Sequence, residues 1–241
     1  MNTPEISSRL NRMFDGLAAL LHPARRHYRK TLMRLLEEAR TGWASADYGA
    51  GYLYQSFPSL GLHGFRQTEV RQTQMDITEA LRGKRVLEIG CNSGFLSLGL
   101  SRGTSRYVGF DNNPFLINIA KLTQQFVRND AVEFRCDTFE AFASDEPFDV
   151  ALSFANHSTW DGNMTLALDA YFVKLQKLLT PGGTLFFESH HPVLEDQTQV
   201  KETLKVMQKS FAIQQQRELT QGSAWDRGRT FVTAISLAKG Q

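Results

Sequence analysis

The segment Arg85-Val86-Leu87-Glu88-Ile89-Gly90-Cys91-Asn92-Ser93-Gly94-Phe95-Leu96 constrains this chain more than any other. A short run of β-favouring residues closes on an acid, passes through small residues and opens into an apolar helical start. Strand, tight loop and helix therefore follow one another directly. Glycine suits such a loop for two reasons. It accepts backbone angles that a Cβ disfavours, and it lets the main chain approach a ligand at the helix N-terminus.

Two ligand classes use loops of this kind. A dinucleotide fingerprint requires G-x-G-x-x-G. Counted from Gly90, its second and third glycines fall at positions occupied by Asn92 and Phe95. A pyrophosphate would lose its close backbone approach, and Phe95 would stand where helix and strand must touch. A nicotinamide enzyme is thus the weakest reading. The pattern acid-x-Gly-x-Gly-x-Gly fits better: Glu88, Gly90 and Gly94 match, and Asn92 replaces the middle glycine. Asparagine tolerates left-handed geometry better than most residues. The loop resembles motif I of class I S-adenosylmethionine (SAM)-dependent methyltransferases, with an ordinary strand-to-helix turn as the alternative.

The next segment, Arg106-Tyr107-Val108-Gly109-Phe110-Asp111, reads as a second strand ending on an acid. Asp111 follows the glycine turn by about 20 residues, the separation at which a carboxylate meets the ribose of a nucleoside cofactor. A strand-end Asp is often a helix cap. Here the helix opening at Pro114 has Asn112 or Asn113 for that role, which frees Asp111 for a ligand.

Alternation of strands and helices continues from there. Strands are expected near residues 85–89, 106–111, 131–136, 148–154 and 183–189. Phe115, Ile119, Leu122 and Phe126 form one helical stripe, and Met164, Leu168, Tyr171, Leu175 and Leu178 another, both core-facing by default. A helix over residues 198–209 precedes strands at 211–219 and 230–237, joined by Gln221-Gly222 and Asp226-Arg227-Gly228. The fold class is therefore α/β: a doubly wound, mostly parallel sheet of seven strands closed by an antiparallel hairpin. The resemblance to the methyltransferase core covers about residues 84–238.

A helical N-terminal segment (residues 1–82), expected to cap the site or contact substrate, precedes the cofactor-binding domain (residues 83–241). Ile6, Leu10, Met13, Leu17 and Leu20 recur on one helical face, available to its own core or to a second subunit, so a homodimer is open. Pro23 begins a helix to about Arg40, residues 41–64 read as a loop, and Thr68 to Leu81 as a helix. His22, Arg25, Arg26, His27, Arg29 and Lys30 form a basic cluster, most simply a solvated face.

The family resemblance assigns roles residue by residue. It implies that Glu88, Gly90, Cys91, Asn92 and Gly94 wrap the methionine part of SAM. Asp111 would take the ribose hydroxyls, with Asn112 and Asn113 flanking the adenine. Asp137, after the third strand, matches the acid that accepts the adenine amino group, or else caps the next helix. Ser153-Phe154-Ala155-Asn156-His157 ends the fourth strand beside the transferable methyl group. His190 and His191 follow the fifth strand at the same mouth. Gly61-Leu62-His63-Gly64-Phe65-Arg66-Gln67-Thr68-Glu69-Val70-Arg71 resembles a Gly-x-Arg-x-Thr-Glu-x-Arg-like segment that folds over the cofactor in some glycan and natural-product methyltransferases. Arg66 would then reach the cofactor carboxylate or an acidic substrate, with Tyr52 and Tyr54 covering the pocket. Alternatively Thr68 caps a helix and the arginines are superficial.

The function implied is methyl transfer to a small molecule or glycan, to oxygen sooner than nitrogen. His157 is the expected base, with His190 or His191 next, because imidazole titrates near neutral pH. No tight ligand set argues for a metal, although His190, His191, Glu195 and Asp196 lie close in sequence. The alternatives are a tRNA-modifying transferase and a non-catalytic SAM-binding partner subunit. The formal charge of +2 argues against nucleic acid. Two cysteines without a spaced framework, no apolar run of membrane-spanning length and no signal-like start point to a cytoplasmic setting.

Overall fold

The structure, a computed structural model, describes residues 10–17, 23–43, 53–158, 164–220 and 228–238. Seven strands form one sheet in the order β3-β2-β1-β4-β5-β7-β6. Strands β1 (Arg85–Ile89), β2 (Arg106–Asp111), β3 (Val132–Cys136), β4 (Phe148–Phe154) and β5 (Leu179–Glu188) run parallel. β7 (Arg229–Ser236) is antiparallel both to β5 and to β6 (Phe211–Leu219). The register places Ile89 beside Phe110 and Ser153, Asp111 beside Cys136, and Phe154 beside Glu188. All five parallel strands therefore end along one edge, where ligands bind in sheets of this kind.

Strand periodicity sorts the core onto two faces. Leu87, Ile89, Val108 and Phe110 pack with helices α6 (Leu168–Leu178) and α7 (Gln197–Met207). Val86 and Tyr107 point the other way, against α3 (Thr68–Met75), α4 (Phe95–Leu100) and α5 (Pro114–Val127). Both faces are covered, so the central strands are apolar almost without interruption. Glu88 breaks that run because it shares the Val86 face and reaches the start of α4.

The α5 stripe does not face the sheet. Ile117 and Ala120 do so instead. Ile119, Leu122 and Phe126 meet Tyr28, Leu32, Leu35 and Leu36 of α2 (Pro23–Gly42) in a third cluster that includes Leu53, Leu62 and Phe95. The helix is apolar on two sides, and the stripe marks the dock of the N-terminal segment. In the other stripe, Met164 lies before α6, not on it.

The helix expected over Thr68–Leu81 breaks after Met75, because Asp76 is left-handed (φ 48°); a separate 3-10 turn follows at Glu79–Leu81. Residues 10–17 form a helix, α1, on which Leu10, Met13, Phe14 and Leu17 are all exposed. Its buried Asp15 holds it to the 53–66 segment, accepting from the His63 N–H at 3.0 Å. Ile6, Leu20, His22, Tyr52 and the turn at 221–227 lie outside the described residues. Arg25 donates to the Ser59 carbonyl and Arg29 to that of Arg12, while Arg26, His27 and Lys30 are exposed.

Gly94 shows how tightly the first loop is packed. It is left-handed (φ 72°), and a Cβ there would stand 2.5 Å from Phe134 and 2.8 Å from Ala120. Gly94→Ala is expected to lower unfolding free energy by about 2–4 kcal/mol, from overpacking plus backbone strain. Urea unfolding would show this as a lower midpoint at unchanged slope.

Candidate active site

A cleft of about 1000 Å³, counting its open side, lies at the carboxyl ends of β1, β2 and β4. Its floor is the β1–α4 loop. Gly90 (φ 66°) and Asn92 (φ 56°) are both left-handed, so Asn92 does adopt the geometry that the missing glycine would have taken. A Cβ at Gly90 would press within 3.1 Å of the Asn156 amide. Glu88 lines the cleft but is buried, accepting from the Ser97 hydroxyl at 2.5 Å and the Tyr107 hydroxyl at 2.6 Å. Burial raises its pKa and favours the protonated acid.

Asp111 stands at the opposite wall. One carboxylate oxygen accepts the Asn92 N–H at 2.9 Å and the other the Asn113 N–H at 3.0 Å. Asn113, not Asn112, caps α5, accepting from Phe115 and Leu116. Asp111 is therefore fixed in orientation yet half-exposed to the cleft. Asn112, Asp137, Thr138 and Phe139 continue this wall, and Asp137 accepts the Thr138 N–H at 2.9 Å.

The third wall comes from the N-terminal segment. Gln67 is the N-cap of α3 without a side-chain bond; Thr68 donates its N–H to Ser56 Oγ at 2.8 Å. Arg66 and Arg71 are not superficial. Both are buried cleft residues gripping Glu188 at the end of β5: Arg66 Nη2 donates to Oε1 at 3.0 Å and Arg71 Nε to Oε2 at 2.8 Å. Arg229 of β7 stands 3.5 Å from Oε1. Burial would raise the Glu188 pKa, but Arg71, Arg66 and Arg229 outweigh it and hold the carboxyl down at about 2.

Several residues singled out in the sequence do not line this cleft. Cys91 is fully buried with its side chain against Gly109, and burial raises its thiol pKa. Gly94 is the N-cap of α4 and faces Phe134 and Ala120. Ser153 is buried, its hydroxyl 2.9 Å from Asn156 Oδ1 and 2.8 Å from the Tyr171 hydroxyl. It acts on the cleft only by holding Asn156, whose amide donates to the Ile89 carbonyl. Left-handed Ala155 (φ 57°) turns the chain after β4; Asn156 lines the cleft and the next residue does not.

That next residue, His157, is buried, with Nε2 3.0 Å from Glu195 Oε1. It lines a second hollow beside α7. The His157 and His190 rings are 4.8 Å apart, and the His190 N–H donates to Glu195 Oε2 at 2.8 Å. Burial first, then His157, lowers the His190 pKa to about 4, leaving it neutral near pH 7. Glu195 is held down at about 2: burial opposes this, but the His157 hydrogen bond and charge prevail. His191 accepts the Val193 N–H at Nδ1, and Asp196 forms a capping box with Gln199 at the start of α7. Among the described residues no three His, Cys, Asp or Glu side chains are placed to hold a metal ion.

Sequence reasoning missed Gln55 and Trp43, which also line the cleft. Gln55 Oε1 accepts the Phe95 N–H at 2.9 Å, capping α4 from a distant segment. No local pattern marks it, because its partner is 40 positions away. Glu188 was legible only as a residue near the end of the strand expected at 183–189.

With this geometry in place, residues 81–229 match the sequence profile described as a methyltransferase domain. The chain belongs to the class I SAM-dependent methyltransferase family. The ubiquinone biosynthesis O-methyltransferase of Coxiella burnetii (strain Dugway 5J108-111) is 29% identical over 133 residues, 53% of this chain and 52% of that protein. The chain thus spans about half the length of the curated relatives it matches. The N-methyltransferase NodS of Bradyrhizobium japonicum WM9, solved with S-adenosyl-L-homocysteine (SAH), superposes with a TM-score of 0.57 at 18% identity, covering 71% of this chain and 88% of that one. The [4+2]-cyclase SpnF superposes at 0.54 with 17% identity, covering 70% and 81%. At such identities these structures share a fold, and the fold does not dictate the reaction.

The family's cofactor is SAM, and the cleft suits it. A fixed carboxylate faces the cleft at Asp111, a backbone cradle that a Cβ would crowd lies at Gly90, and cationic groups stand at Arg66 and Arg71. No described helix of this chain is long and apolar enough to cross a membrane.

Glu188 supplies a pH prediction. Its folded pKa lies below the ordinary carboxylate value of 4.5, so its stabilisation is present above about 4.5 and lost as pH falls towards 2. Glu188→Gln is expected to unfold at lower urea than the native chain at pH 7, and to lose less stability between pH 5 and pH 2. Equal acid slopes in the two proteins would contradict the assignment.

Proposed function

We propose that this protein transfers the methyl group of SAM to an oxygen of a small molecule. The observation that carries this reading is the Asp111 carboxylate, held by two loop N–H groups at the rim of a cleft above the glycine turn. The relatives named as O-methyltransferases favour oxygen as the acceptor atom.

Asp111 would bind the ribose hydroxyls, while Asn112 and Asp137 flank the adenine. Gly90 and Asn92 offer backbone at close range to the methionine portion, and Glu88, bonded to the Ser97 and Tyr107 hydroxyls, fixes the base of the loop. Arg66 would meet the cofactor carboxylate; burial works against its charge, but Glu188 and Tyr54 outweigh that and raise its pKa. Cys91, Gly94 and Ser153 would shape the site from behind. Residues 1–82 would act as a cap, since Trp43, Tyr54, Gln55, Arg66 and Arg71 reach the cleft from that segment.

SAM supplies a methyl group already activated on a sulfonium, so no protein nucleophile is needed. The protein's task is positioning, worth roughly 7–11 kcal/mol in the best cases, and accepting the hydroxyl proton. His157 is the proposed base. Its pairing with the Glu195 carboxylate orients the ring and would stabilise the imidazolium. His190 is the second choice.

Isothermal titration should show SAH binding, with affinity at least tenfold weaker in Asp111→Ala. His157→Gln should keep SAH affinity within twofold while slowing methyl transfer from labelled SAM into a metabolite extract by about 10²–10⁴-fold. Undiminished transfer in that variant would remove His157 from the mechanism.

A further inference from the structure

The β4–α6 loop sends Asn156 to the cleft and His157 to the separate hollow beside α7. That hollow has about 710 Å³ of space, counting its open side, and meets the cleft at Met164, which lines both. His157, 3% exposed, is among the residues that line it. Its Nε2 is committed to Glu195, whose Oε1 also accepts the Thr203 hydroxyl at 3.1 Å, so the ring cannot easily turn. Its Nδ1 is buried and has no hydrogen-bond partner. A buried imidazole nitrogen left open is a rare arrangement in a folded protein and calls for a ligand.

We propose that this hollow is the acceptor site, and that it takes a neutral molecule with an apolar body and a hydroxyl that donates to His157 Nδ1. The proposal rests on the methyl-transfer reading above and names the substrate class for it.

Three features select that class. First, with Nε2 turned to the Glu195 carboxylate, the ring position left open is Nδ1; in the tautomer that carries its proton on Nε2 this is a lone pair, whose missing partner is a donor. Second, Met164, Leu166, Leu168 and Leu194 make the rest of the wall apolar. Leu194 is 55% exposed and the neighbouring Val193 76%, a large uncovered apolar lip at the opening. Third, the Glu195 carboxylate in the wall repels an anionic acceptor, whereas the cationic groups Arg66 and Arg71 belong to the other hollow.

The proton balance follows from this placement. As the acceptor oxygen bonds to the methyl carbon, the electron pair of the broken C–S bond stays on sulfur. The hydroxyl proton passes to Nδ1, and the imidazolium formed is paired to Glu195. His157 would then be a catalytic residue, and Glu195, held by the Thr203 hydroxyl and the His190 N–H while it orients His157, a positioning residue.

The probe is 4-methylphenol, with 4-methylanisole as a control of similar shape that lacks the donor. Each is titrated into the full chain, with and without SAH, while the ring nitrogens of His157 are followed by ¹⁵N NMR. The expected result is a saturable shift of Nδ1 with the phenol and at least fivefold weaker binding of the ether. Leu194→Glu, at an exposed position, should weaken the phenol at least fivefold at unchanged Tm, and His157→Gln should bind phenol and ether alike. Equal binding of the two probes by the native chain, or no response at His157 while SAH binds, overturns the acceptor site. Absence of SAH binding with a normal phenol response instead overturns the methyl-transfer reading and leaves the pocket standing.

Discussion

Glu188 is the residue on which the architecture of the cleft depends. Its carboxylate has no exposure and lies at the end of β5 among guanidinium groups from α3, from the segment before it, and from β7. A buried charge is costly unless it is paired and hydrogen-bonded. Here the pairing is spread over parts of the chain 117 and 122 positions away, so satisfying one charge positions the N-terminal wall over the cleft and fixes the closing strand to the sheet. Removing one partner leaves the others uncompensated, which makes the arrangement an all-or-none feature.

The first loop is governed by sterics. Left-handed residues at 90, 92 and 94 turn the chain tightly, and Gly94 has no space for a side chain against Phe134. The turn directs backbone towards the cleft and lets the Asn92 N–H orient Asp111. The acid of the motif plays a different part: Glu88 is buried and hydrogen-bonded to two hydroxyls, and burial raises its pKa. One carboxyl is therefore held open to the cleft while the other supports the loop from beneath, and burial separates their surroundings.

Much of the fold was legible because its signals are local. The strand ending at Ile89, the glycine turn and Asp111 lie within about 20 residues, the separation of a single strand–helix–strand unit. The terminal hairpin was legible from two β-type runs flanking a turn-rich stretch. The helical stripes misled where one helix packs on two sides: Phe115, Ile119, Leu122 and Phe126 repeat perfectly, yet the α5 face turned to the sheet is Ile117 and Ala120. The helix expected to reach Leu81 failed because a left-handed Asp76 terminates it, and nothing apolar in the pattern announces that stop.

By itself the sequence determined the order of strands and helices, the glycine turn and the carboxylate at the end of β2, since all three arise from backbone geometry and short-range periodicity. Only the tertiary structure decided that Arg66 and Arg71 close on Glu188, that Gln55 caps α4, and that His157 turns away from the cleft towards Glu195. Those outcomes depend on which side of a strand end each residue leaves from and on which distant partner satisfies its buried polar atoms. Neither property is encoded at any fixed spacing along the chain.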